Sequence, residues 1–100
     1  KLAARKWDHD GLFAACDLYA LGAMKALQAA GVAIPRDCMV IGFDGLEAGE
    51  FSSPTLTTIT QDFGEVARRL VDNMVRLIDG LETNEAAIPA TLTYRESTER

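Results

Sequence analysis

The chain has 100 residues, 48% of them hydrophobic and 25% charged, which suits a soluble globular domain with one core and not two. A net charge of -5 with scattered basic residues excludes the electrostatic footprint of a nucleic-acid binder. No apolar run approaches the ~20 residues of a membrane span, and two cysteines are too few for a disulfide scaffold, so Cys16 and Cys38 read as buried free thiols of a reducing, cytoplasmic compartment.

Residues 1–10 are charged and without period, a helix tail or loop, and His9 between Asp8 and Asp10 reads as a solvated loop residue. The start at Lys1, with no Met and a mid-protein composition, reads as a fragment of a longer chain. Gly11 punctuates, and residues 12–16 read as a short buried strand. Asp17 is placed as the N-cap of a helix over 17–30. Its inner face would carry Ala20, Ala23, Met24, Leu27 and Ala30. The outer face carries Leu18, Leu21, Gly22 and Lys25, small and partly apolar, which suggests a partner surface. Gly31 supplies the helix stop.

Residues 39–44, Met-Val-Ile-Gly-Phe-Asp, read as a parallel strand buried on both faces, completing a right-handed βαβ unit. Residues 45–55 form a loop or helical turn, and 56–60 are strand-like. Asp62-Phe-Gly-Glu65 has the capping-box pattern, with Asp62 as the cap of a helix over 62–79. Phe63, Val66, Ala67, Leu70, Val71, Met74, Leu77 and Ile78 gather on one side and should pack on the sheet or on a second copy. The charged side, with pairs Glu65–Arg69 and Asp72–Arg76, reads as solvated. Residues 88–94 read as a last strand, with Pro89 favouring an edge.

Chemistry is sparse. There is no phosphate-cradling glycine loop, no Cys-x-x-Cys and no His-x-x-x-His, so neither cofactor nor metal is expected. Ser52 and Ser53 have no base near them in sequence, and no catalytic set emerges. What stands out is Asp44, a carboxylate at the carboxyl end of a strand, where open α/β sheets bind ligands, framed by Gly42 and Gly45. The competing role for Asp44 is to cap the following turn through the amides of residues 45–47.

Three stretches in this order carry a family resemblance: Phe13-Ala-Ala-Cys-Asp-Leu-Tyr-Ala-Leu-Gly-Ala-Met-Lys-Ala-Leu27, Ile34-Pro-Arg-Asp-Cys-Met-Val-Ile-Gly-Phe-Asp44 and Pro54-Thr-Leu-Thr-Thr-Ile-Thr-Gln-Asp-Phe63. With Leu92-Thr-Tyr-Arg-Glu-Ser97 as a closing strand, the chain from Gly11 on closely resembles the C-terminal third of LacI/GalR-family transcriptional regulators. The resemblance implies an α/β, parallel-sheet, periplasmic-binding-protein-like (type I) effector domain, here an incomplete fragment. It implies that 1–61 belong to the C-terminal subdomain, that 62–86 cross to the N-terminal one, and that 87–100 return as closing strand and tail. It also implies a non-enzymatic sensor of a small-molecule effector, whether sugar, sugar-like metabolite or nucleobase, bound in the cleft between subdomains. Asp44, Cys16, Gln61 and Phe63 would contact that effector. A homodimer would form through Leu18, Leu21, Gly22, Lys25 and Phe51, and operator DNA would be met only through a domain outside this chain. Two departures bear on specificity. Cys16 stands where the family often has Asn, and a thiol is a weaker donor and acceptor; Gly45 stands where a second Asp is common. The alternatives are a periplasmic sugar-binding protein of a transport system and, more weakly, an α/β enzyme.

Overall fold

The computed structural model describes residues 7–100, and the expectation for residues 1–6 lies outside the described residues. The chain divides into two compact units. One is formed by the chain up to Thr60 together with Thr91–Arg100, the other by Gln61–Ala90.

In the first unit, β1 (Gly11–Phe13), β2 (Met39–Asp44), β3 (Thr57–Thr60) and β4 (Thr91–Thr93) form one sheet in that order. The first three run parallel, with Phe13 beside Ile41 and Asp44 beside Thr60, and β4 closes the edge antiparallel to β3. β1 is shorter than the expected 12–16, although the amide of Ala14 still bonds the carbonyl of Ile41 at 2.9 Å. Between β1 and β2 runs α1 (Asp17–Ala29). It ends in a Schellman arrangement: Gly31 has φ 84°, its amide bonds Gln28 and that of Val32 bonds Leu27.

α1 covers one face of the sheet. Ala20, Met24 and Leu27 are buried with Ala14, Cys38, Val40 and Leu56. β2 was expected to be buried on both faces, but only Val40 and Gly42 are buried, while Met39, Ile41, Phe43 and Asp44 are half-buried. The alternation follows from the pleat, since α1 lies on one side only. Leu21 also departs from expectation: it sits at the margin of the helix face and packs half-buried against the core.

The tail fastens the unit. Buried Ser97 accepts the amide of Thr57 at 2.8 Å and donates to the carbonyl of Val40 at 2.6 Å. Arg95 donates to the carbonyl of Leu56 at 3.0 Å.

The second unit holds α2 (Phe63–Ile78). Asp62 caps it as the sequence suggests, its carboxylate accepting the amide of Glu65 at 3.0 Å. The charged side of α2 is largely solvated as expected, with Arg68, Asp72 and Arg76 exposed, but the apolar side departs from the expectation. None of its residues is buried, and the apolar side is open, with Leu70 66% and Ile78 75% exposed. The polar side is partly covered by the returning chain. Arg69 donates to the carbonyl of Ala86 at 2.5 Å, and Asn73 exchanges two hydrogen bonds with Asn84. Glu65 therefore pairs with Arg68 at 2.6 Å rather than with Arg69, whereas Asp72–Arg76 forms as expected at 2.9 Å.

Candidate functional site

The carboxyl ends of β1, β2 and β3 lie side by side, and Asp44 is the last residue of β2. Its φ is 127°, the one positive value for a non-glycine residue among those described. Holding such a conformation costs of order 1–3 kcal/mol, so the surroundings must impose it. Gly45 follows at φ 82°, and a Cβ there would lie 2.7–2.9 Å from atoms of Thr60. Only glycine therefore lets the turn press onto β3. Thr60 is itself held, its hydroxyl 2.6 Å from that of Thr93.

Beneath this turn lies Asp17. The sequence places it as the cap of α1, but it is the first residue inside the helix, and the extended residue at the N-cap position is Cys16. The Asp17 side chain turns inward instead and is fully buried. One carboxylate oxygen, Oδ2, accepts the amides of Gly45 at 3.0 Å and Leu46 at 2.6 Å. The other, Oδ1, accepts the hydroxyl of Thr58 at 2.6 Å. Three donors thus converge on one buried carboxylate, and hydrogen bonds to a carboxylate are each worth about 1.5–3 kcal/mol. Gly42 makes the arrangement possible, because a Cβ at that position would collide with Oδ1 of Asp17.

This geometry bears on the competing role of Asp44. The turn amides of Gly45 and Leu46 that Asp44 could have capped are held by Asp17. Cys16, half-buried with no side-chain capping bond, directly precedes Asp17, so the Asp17–Gly45 bond joins the chain neighbours of Cys16 and Asp44. The first unit thus brings those two residues to adjoining strand ends. Gln61 and Phe63 belong to the second unit, Gln61 half-buried and Phe63 49% exposed. Sequence reasoning missed Thr58 and Thr60. The available signal was the run Thr57-Thr58-Ile59-Thr60, whose hydroxyls need partners once the strand is buried.

On the outer face of α1, Leu18 is 63% exposed, with Gly22 and Lys25 also exposed. Gln28 reaches from this helix to the carbonyl of Ser53 at 2.9 Å. That bond ties it to the loop carrying Phe51, which is 78% exposed. His9 is solvated, 3.5 Å from Asp8. Among the described residues no cluster of His, Cys, Asp and Glu could hold a metal ion.

Residues 1–98 match the model of the periplasmic binding protein-like domain. The ribose operon repressor of Halalkalibacterium halodurans is 41% identical over 92 residues, covering 89% of this chain and 28% of the repressor. The lactose operon repressor of Escherichia coli is 34% identical over 88 residues, 87% of this chain and 24% of the repressor. Among solved structures, a LacI family transcriptional regulator from Arthrobacter sp. FB24 in complex with lactose superposes with a TM-score of 0.78 at 42% identity, over 90% of this chain and 35% of that one. A periplasmic binding protein/LacI transcriptional regulator from Alkaliphilus metalliredigens complexed with D-xylulofuranose gives a TM-score of 0.83 at 33% identity, over 92% of this chain and 35% of that one. The chain spans about a quarter of the length of these two repressors.

Proposed function

The chain belongs to the family of periplasmic binding protein-like domains, and we propose that it is the sugar-sensing and dimerising part of a LacI/GalR-type transcriptional regulator. The observation that carries the proposal is the division of labour between two acids. Asp17 holds the turn, and Asp44 ends β2 at positive φ on the strand edge where α/β folds take ligands. A carboxylate there suits a neutral polyol, since each hydroxyl it accepts forms a charge-assisted hydrogen bond. The proposal extends to Cys16, half-buried just before α1 in the same unit, as a further ligand contact.

The regulator acts by binding rather than by catalysis, and works in the cytoplasm on operator DNA held by a domain outside this chain. Its relatives are repressors of sugar operons, which favours this reading over a transport protein. Sugar alters operator affinity only to the extent that it binds two arrangements of the protein with different affinity. Two copies pair through the outer face of α1, with Leu18, Gly22, Lys25 and Phe51 at the contact and Leu21 at its margin.

The test is Asp44→Ala in the whole regulator, assayed for sugar binding by calorimetry against pentoses, hexoses and disaccharides and for operator release. Loss of sugar response with operator binding intact supports the proposal. A normal response, or a variant that unfolds, returns Asp44 to a structural role.

A further inference from the structure

We infer that Asp17 is the positioning residue of the effector site: its buried carboxylate draws the turn after β2 down onto β3 and so maintains the unusual backbone conformation of Asp44. The inference rests on the reading of Asp44 as a ligand contact, and Asp17 itself touches no ligand.

Three features support it. The first is reach. A helix cap bonds amides two or three residues ahead of it, whereas Asp17 bonds Gly45 and Leu46, which are 28 and 29 residues away, and Thr58, which is 41 away. The carboxylate therefore joins the start of α1, the turn after β2 and strand β3 at one point. The second is fit. Gly42 leaves the space the carboxylate occupies, and Thr58, which donates to it, is fully buried like Asp17 itself. The third is consequence. Asp44 immediately precedes the two held amides, so the peptide between Asp44 and Gly45 is fixed at its nitrogen by Asp17. Rotating Asp44 to a relaxed negative φ would move that peptide off the carboxylate. The Asp17 hydrogen bonds to Gly45 and Leu46 thus help to hold Asp44 at its positive φ.

Chemistry distinguishes the substitutions. Asn at position 17 keeps the shape, and its carbonyl oxygen can still accept both amides. The Thr58 hydroxyl can turn to accept from the new amide group, so Asp17→Asn loosens the clamp without emptying it. Asp17→Ala removes it.

Two measurements on the whole regulator test the inference. The first needs no ligand: amide hydrogen exchange. With Asp17→Ala, exchange at Gly45 and Leu46 rises about tenfold or more over that at Val40 to Phe43, while Asp17→Asn gives a smaller rise. No local rise, or an equal rise throughout β2, overturns the clamp. The second is a double-mutant cycle on sugar affinity with Asp17→Asn and Asp44→Asn, using a sugar the wild-type protein binds in calorimetry. Asp17→Asn weakens binding about tenfold in the wild-type background, equivalent to about 1.4 kcal/mol, and has no further effect once Asp44 is Asn. Additive losses overturn the inference, because Asp17 would then act independently of Asp44. If Asp44→Asn alone leaves affinity unchanged, the ligand role of Asp44 fails, while the exchange experiment still decides whether Asp17 holds the turn.

Discussion

Gly42→Ala is the most exacting stability test the structure offers. In an ordinary strand the change should help slightly, since glycine interiors are weaker than alanine by about 0.5–1 kcal/mol. Here the added methyl would collide with Oδ1 of Asp17, and would also sit 3.0 Å from Cδ2 of Leu56 and 3.3 Å from the Cα of Asp17. Neither neighbour can yield easily: Leu56 is fully buried, and Asp17 is buried and held by three hydrogen bonds. Overpacking costs about 1–3 kcal/mol, and losing one charge-assisted bond adds about 1.5–3 kcal/mol. Set against the small propensity gain, the net destabilisation should be about 3 kcal/mol. Urea unfolding followed by amide exchange within β2 reads it directly. With a slope of about 2 kcal/mol per molar urea, the midpoint should fall by about 1.5 M. A midpoint within about 0.3 M of wild type would refute the packing argument for Gly42 and weaken the clamp with it.

Ser97→Ala should cost about 1–3 kcal/mol in the same titration, because it strands the buried amide of Thr57; a neutral result would mean water replaces the hydroxyl. Asp62→Ala should cost about 1 kcal/mol and increase exchange in the first turn of α2, with the sheet unaffected. Of the two thiols, Cys16 should react first with a disulfide reagent at neutral pH. Cys38 is fully buried, and burial raises its pKa above the usual thiol value, leaving less thiolate at a given pH. Leu18→Glu should shift sedimentation of the whole regulator from dimer toward monomer without unfolding it, because Leu18 is 63% exposed and absent from the core.

The elements written in local pattern were legible. Asp62-Phe-Gly-Glu65 announces the start of α2, Gly31 the end of α1, and the apolar run before Asp44 a parallel strand. Asp17 was misread because an acid ahead of a helical period looks the same whether its side chain bonds amides of that helix or turns away from it. Its actual donors lie 28 to 41 residues away, and no local pattern reports them. The conformation of Asp44 was equally invisible, since a positive φ outside glycine is imposed by surroundings and not by residue type. Gly42 and Gly45 were the sequence trace of both facts. They mark where side chain and backbone crowd the turn, although they do not say what crowds it.

α2 shows why a period predicts a face more securely than it predicts what that face meets. The apolar residues do share one side, yet that side is open, and the partial burial falls on Glu65, Val66, Arg69 and Asn73. The partial burial comes from the returning segment. Residues 82–86 belong to no strand or helix, so their backbone carbonyls have no ladder to bond. Arg69 satisfies Ala86, Asn73 satisfies Asn84, and Arg76 reaches Glu82 at 3.4 Å. Side chains that read as a solvated surface thus act as the donors that lay the return path along the helix. Truncating Asn73 to Ala removes both bonds to Asn84 at once. That change should free the segment while leaving the charge of the helix as it was.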